Sequence, residues 1–133
     1  MRRTMKATGL LLAAALLLLS AAGAGAEKMP LDGSTFVGTL TEAGKTKGDK
    51  DALVFKDGKF RSTACDAYGF TETAYTAAVS GVDTRFEAVA TSPKEGTMKW
   101  KGNVKGHTIE GTAEWVKKGQ ADIHYTFKGK LKE

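Results

Sequence analysis

The sequence predicts an all-β protein, an eight-stranded antiparallel up-and-down barrel over residues 27–133, preceded by a cleavable signal peptide over residues 1–26. Three observations predict it. From Leu31 onward apolar residues recur at every second position, turn signals fall about every ten residues, and most connections are short enough to be hairpins. Eight strands in a meander close most simply into a barrel, because closure removes exposed edges. A two-layer sandwich is the competing arrangement of the same strands.

The leader is read from charge and length. Met1 to Lys6 carries Arg2, Arg3 and Lys6 and no acid, and Gly9 to Ala22 (GLLLAAALLLLSAA) is uncharged and apolar. That run is shorter than the roughly 20 residues a spanning helix needs. Ala24-Gly25-Ala26 supplies the small residues of a signal-peptidase site, so cleavage is expected after Ala26. An uncleaved membrane anchor is the alternative. Lipoprotein processing would need a cysteine at the cleavage point, and none lies there. The expected location is the periplasm or the extracellular space, with no transmembrane segment left after cleavage.

Cleavage leaves 107 of the 133 residues. Losing Arg2, Arg3 and Lys6 brings the formal net charge from +5 to about +2. Nucleic-acid binders concentrate far more positive charge, so no nucleic-acid partner is expected. All 2 Trp, 3 Tyr and 6 Phe lie after Ala26, enough for a packed core without disulfides.

The strands follow in order. Phe36, Gly38 and Leu40 alternate with Thr35, Val37 and Thr39, and the charged loop Glu42 to Lys50 ends that strand. Ala52 to Phe55 runs through Lys56-Asp57-Gly58-Lys59 into Phe60. Asp-Gly is a strong hairpin signal because both central positions take positive φ, and as the two-residue loop it sets Phe55 opposite Phe60. Thr73–Val79 and Thr84–Thr91 form the next pair, joined through Ser80-Gly81-Val82-Asp83. Met98, Trp100, Gly102 and Val104 then alternate with Thr97, Lys99, Lys101 and Asn103. Ile109, Gly111, Ala113 and Trp115 alternate with Thr108, Glu110, Thr112 and Glu114. Ile123, Tyr125, Phe127, Gly129 and Leu131 complete the pattern against Asp122, His124, Thr126, Lys128 and Lys130.

The inward set is therefore Phe36, Leu40, Phe55, Phe60, Tyr75, Phe86, Met98, Trp100, Ile109, Trp115, Ile123, Tyr125, Phe127 and Leu131. Inward glycines at 38, 102, 111 and 129 suit the sharp bending of a small barrel. So many large side chains on so short a chain predict a mostly filled interior with a shallow mouth.

The stretch Lys47–Phe70, KGDKDALVFKDGKFRSTACDAYGF, resembles the signature of an uncharacterised family of small exported bacterial proteins. That resemblance implies export and supplies no activity, ligand or site residue. The strand count and inward tryptophans resemble lipocalin and avidin-like barrels, which take small ligands at the barrel mouth. The lipocalin Gly-x-Trp is replaced here by Gly33-Ser34-Thr35-Phe36, so this likeness is one of architecture.

Candidate functional residues are few. Trp100, Trp115, Tyr75 and Tyr125 are candidates for the floor of a ligand site, binding a small apolar or aromatic molecule; as plain core they would simply fill space. Cys65 is the one cysteine. It is read as a partly buried thiol that packs like an apolar residue, as the link of a Cys65–Cys65 homodimer, or as a reactive thiol or a ligand for metal or haem. His107 and His124 have no ligand spacing to each other or to Cys65, and no metal site is expected. Asp49, Asp51 and Asp57, interleaved with lysines, read as a solvated loop with local ion pairs. Lys99, Lys101, Lys128, Lys130 and Lys132 face outward beside Glu110 and Glu114, which fits cross-strand pairing, with a lipid or polyanion patch as the alternative. No G-x-S-x-G, H-E-x-x-H or phosphate loop is present, so catalysis ranks last and no cofactor is implied. A small-ligand binder ranks first and an envelope-associated interaction module second.

Overall fold

Alternation of this kind buries one face of each strand when the sheet curls around its own apolar side or packs on a second sheet. The computed structural model, which describes residues 28–133, shows the first of these. The expected leader lies outside the described residues. Eight strands run in chain order: β1 (Thr35–Glu42), β2 (Asp49–Lys56), β3 (Lys59–Ser62), β4 (Thr73–Ser80), β5 (Asp83–Ser92), β6 (Gly96–Lys105), β7 (Thr108–Val116) and β8 (Ile123–Leu131). Each pairs antiparallel with the next, and β1 pairs with β8 from Phe36↔Leu131 to Glu42↔Tyr125, closing the barrel. Among the described residues no helix is long and apolar enough to cross a membrane.

The hairpins follow their local chemistry. Asp57 takes φ 51° and Gly58 φ 76°, and Phe55 stands opposite Phe60 with ring centroids 5.3 Å apart. Three tight turns, β2–β3, β4–β5 and β6–β7, gather at one end, here the hairpin end. The longer connections gather at the other, the loop end.

Inside, aromatic rings fill the barrel. Phe55 packs edge-on against Phe36, Tyr75 and Phe86 at centroid distances of 6.1, 5.0 and 5.0 Å. Phe60 lies 5.5 Å from Phe86 and 5.2 Å from Trp100. Large and small residues complement each other across the strands. Trp100 is flanked in register by Ala88 and Ala113, Phe86 by Gly102, and Phe127 by Gly111. A glycine under an aromatic ring lets the sheet coil while the ring covers the exposed backbone. Of the inward set, ten residues from Phe36 to Phe127 are buried, whereas Trp115, Ile123, Tyr125 and Leu131 near the barrel rims are only partly so.

The residues before β1 plug the hairpin end. Leu31 is buried, and Asp32 ties the plug to the barrel by accepting hydrogen bonds from the Gly58 N–H (2.9 Å), the Tyr75 hydroxyl (2.9 Å) and the Met29 N–H (3.1 Å). Burial pushes the Asp32 carboxyl up, but these donors outweigh it and hold it below its ordinary value. Burial and the Asp32 charge push the Tyr75 hydroxyl upward.

On the outer face, Lys99 stands opposite Glu114 and Lys128 opposite Glu110, whereas Lys101 and Lys130 face Thr112 and Thr108. The expected lysine–glutamate pairing is thus met in register at two places. The close contact joins Glu114 to His124 instead, at 3.7 Å. The wall is thinnest between β3 and β4, paired only at Lys59↔Ala74 and Phe60↔Thr73, so that Thr76 to Ser80 extend past the Asp57-Gly58 turn.

Candidate functional site: the loop-end mouth

Between β3 and β4 the chain does not turn directly. Ser62 leads into a six-residue 3-10 helix, Thr63–Tyr68, that ends at Gly69 with φ 85°. The period-two pattern assigns this segment to no strand. A helix this short needs no amphipathic period, so the alternation test passes over it. Its cap comes from elsewhere: the carboxylate of Asp51, on β2, accepts from the Ala64 N–H at 2.9 Å and from the Ser62 hydroxyl at 2.6 Å. Ser62 itself makes no side-chain cap, so a neighbouring strand supplies what the local sequence lacks.

Asp51 therefore corrects the expectation of a solvated, ion-paired loop residue. It is 3% exposed, on the inward face of β2 in phase with Leu53 and Phe55. Burial pushes its carboxyl above the ordinary carboxylate value, against the opposing effect of its hydrogen bonds from Ser62 and Ala64. Because the folded value exceeds the unfolded one, the folded state holds this proton more tightly. The stability so gained is complete below about pH 3.8 and is lost as pH rises through the raised value. Asp51→Asn drops the charge, keeps the bond from the Ala64 N–H on its amide oxygen and reverses the other, its NH2 donating to the Ser62 hydroxyl. It should gain on the wild type between pH 4 and pH 8 in urea unfolding; a wild type that gains on the variant would refute the assignment. Asp51→Ala strands both donors and is expected to cost about 1–3 kcal/mol.

The helix folds Cys65 and Phe70 inward over the loop end, where both are buried. Beside them lies a cavity of about 220 Å³ lined by Leu40, Asp49, Ala64, Cys65, Tyr68, Phe70, Met98, Trp115 and Tyr125. Four of these are aromatic. Tyr68 is 58% exposed and stands at the rim. Trp115 is held by its indole N–H, which donates to the Glu95 carbonyl at 2.6 Å. The Lys117 ammonium, paired with Glu95 at 2.9 Å, stands 5.9 Å from the Trp115 ring centroid. Burial, followed by the charges of Glu42, Cys65, Tyr68 and Asp49, pushes the Tyr125 hydroxyl upward. Other depressions lie between side-chain rows on the outer wall, for example among Lys99, Lys101, Glu114 and His124, and are wide and charged.

The four aromatic candidates divide among three places. Trp115 and Tyr125 meet at the mouth. Trp100 is 2% exposed in the filled middle, and Tyr75 serves the plug at the opposite end. Tyr68 and Phe70 complete the mouth without having been candidates, and Asp49, expected only as part of a solvated ion-paired loop, joins them there. The density of aromatic residues in ACDAYGF, beyond the last alternating position, was the available signal.

Cys65 sits in the cavity wall, 5% exposed, its thiol pushed up to about 11 by burial first and by the charges of Asp51 and Asp66. At pH 8 only roughly one such thiol in a thousand is ionised. Iodoacetamide labelling of the native protein at pH 8 should therefore be slower than in urea by a factor of about a hundred or more. Equal rates would place the thiol in solvent. His107 and His124 are exposed, and among the described residues no group of acids, histidines and cysteine could hold a metal ion.

Comparison of the chain with protein-family models, curated proteins and solved structures finds no match.

Proposed function

We propose that this protein is exported and that its barrel holds one small, mainly apolar molecule at the loop-end mouth. The observation that carries this reading is the cavity of about 220 Å³ walled by Tyr68, Phe70, Trp115 and Tyr125 above an otherwise filled interior. A barrel of eight strands either fills itself or leaves room for one small ligand, and this one does the first over most of its length and the second at one end. Pockets for drug-sized molecules run from about 300 Å³ upward, so the occupant is smaller than those.

Trp115 borders the cavity and Trp100 does not, which separates their signals. A ligand in the mouth is expected to change tryptophan emission in the native protein and to leave it unchanged in Trp115→Phe. Native mass spectrometry with a panel of small aromatic compounds supplies the independent readout. A panel without a single binder, or a signal that survives in Trp115→Phe, would remove this reading.

One observation favours a second reading, an interaction module of the cell envelope. The β4–β5 hairpin carries Val79 and Val82 at 62% and 76% exposure, and no charge lies between Glu72 and Asp83. Retention of a partner in pull-downs that is lost in Val79→Ser/Val82→Ser would support it.

A further inference from the structure

The mouth has a charge character that narrows its ligand. Of its lining residues one is charged, Asp49, and none is basic. Among the described residues Asp49 has no cation within ion-pair distance, whereas the nearby acids Glu42, Asp66 and Glu95 are neutralised by Lys45 at 3.5 Å, Arg61 at 3.0 Å and Lys117 at 2.9 Å. The rim therefore keeps one uncompensated negative charge.

The aromatic walls act in the same sense. A ring presents a negative face and a positive edge. The Trp115 ring already draws one cation, the Lys117 ammonium, to 5.9 Å from its centroid, while its N–H donates to the Glu95 carbonyl at 2.6 Å. An anion would meet Asp49 with no lysine, arginine or histidine in the wall to hold it. A neutral apolar molecule would gain nothing from the charge of Asp49, which stands exposed at the rim. Four aromatic rings beside a single carboxylate match a cation with an apolar body, and the match strengthens as the site excludes water.

Resting on the reading that this cavity binds a small molecule, we infer that its ligand is a small organic cation, an alkylated ammonium enclosed by Tyr68, Phe70, Trp115 and Tyr125 and paired with Asp49. The same chemistry is offered by a free quaternary amine and by a choline-type lipid headgroup.

The test compares choline with its uncharged isostere, 3,3-dimethylbutan-1-ol, by titration calorimetry on the purified protein. Choline is expected to bind at least about tenfold more tightly. Asp49→Asn, which changes an exposed side chain, should abolish most of that preference. Tyr68→Ala, also at an exposed position, should weaken choline more than the alcohol. Co-sedimentation with phosphatidylcholine vesicles that free choline blocks would identify the headgroup as the source; choline binding without co-sedimentation would identify the free amine. The alcohol binding as tightly as choline would overturn the cation assignment and leave the ligand pocket standing. Failure of both probes together with the aromatic panel would overturn the pocket as well.

Discussion

Trp100→Ala is expected to cost about 3–5 kcal/mol, a large share of the roughly 5–15 kcal/mol that holds a domain of this size folded. The side chain is 2% exposed and lies against Phe60 with centroids 5.2 Å apart. Its register neighbours are Ala88 and Ala113, whose methyl groups leave the space the indole fills and cannot extend to close it again. The cost therefore combines the lost transfer of the ring from water with a cavity that rigid strands cannot collapse. Urea unfolding of the two proteins measures it. A loss under 1 kcal/mol would mean that the interior is not the packed column described. Trp115→Ala is the comparison: half-buried beside an existing cavity, it should lose markedly less.

Gly38→Ala is expected to be as damaging, for the opposite reason. A Cβ at this position would run into the Lys128 carbonyl oxygen and lie 2.5 Å from the Gly129 Cα. Both obstacles are backbone, and they belong to β8, the strand that pairs with β1 to close the barrel. No side-chain rotation can relieve the contact, so the two strands must separate where the ring of hydrogen bonds is completed. Overpacking of this kind costs about 3 kcal/mol or more when neither side can yield. Gly81→Ala separates this effect from a general intolerance of substitution. Its φ of 63° carries strain of roughly 1–2 kcal/mol, but nothing lies within 4 Å of the new methyl. If both variants melt alike, close approach is not what position 38 is selected for.

The strands were legible because a period of two leaves a mark on every residue, and each tight turn here carries a glycine with positive φ. Barrel closure was legible for a global reason: eight short-looped strands have no other economical way to hide two edges. The site was legible only in half. Parity tells which side of the wall a residue faces, not its height along the barrel axis, which is set by the stagger between strands. Trp100, Trp115, Tyr75 and Tyr125 all face inward, yet they sit in the middle, at the mouth and at the plug. Asp51 shares the phase of Leu53 and Phe55, so its inward position was present in the pattern, but its purpose was not. The helix it caps begins twelve residues later and has no signal of its own. The buried alanines 88, 90 and 113 were passed over for a related reason: their small size matters only beside the particular large residues they face.

The short pairing of β3 with β4 gives this barrel a built-in slit. Elsewhere each strand is stitched to its neighbours over four to ten register pairs, but here two pairs carry the join. Local opening follows the line of fewest shared hydrogen bonds, so the lowest-energy excursion of the wall runs between these strands and ends at the helix that roofs the mouth. A ligand too large for the resting aperture would gain entry by that sideways parting, at far smaller cost than unzipping the β1–β8 closure.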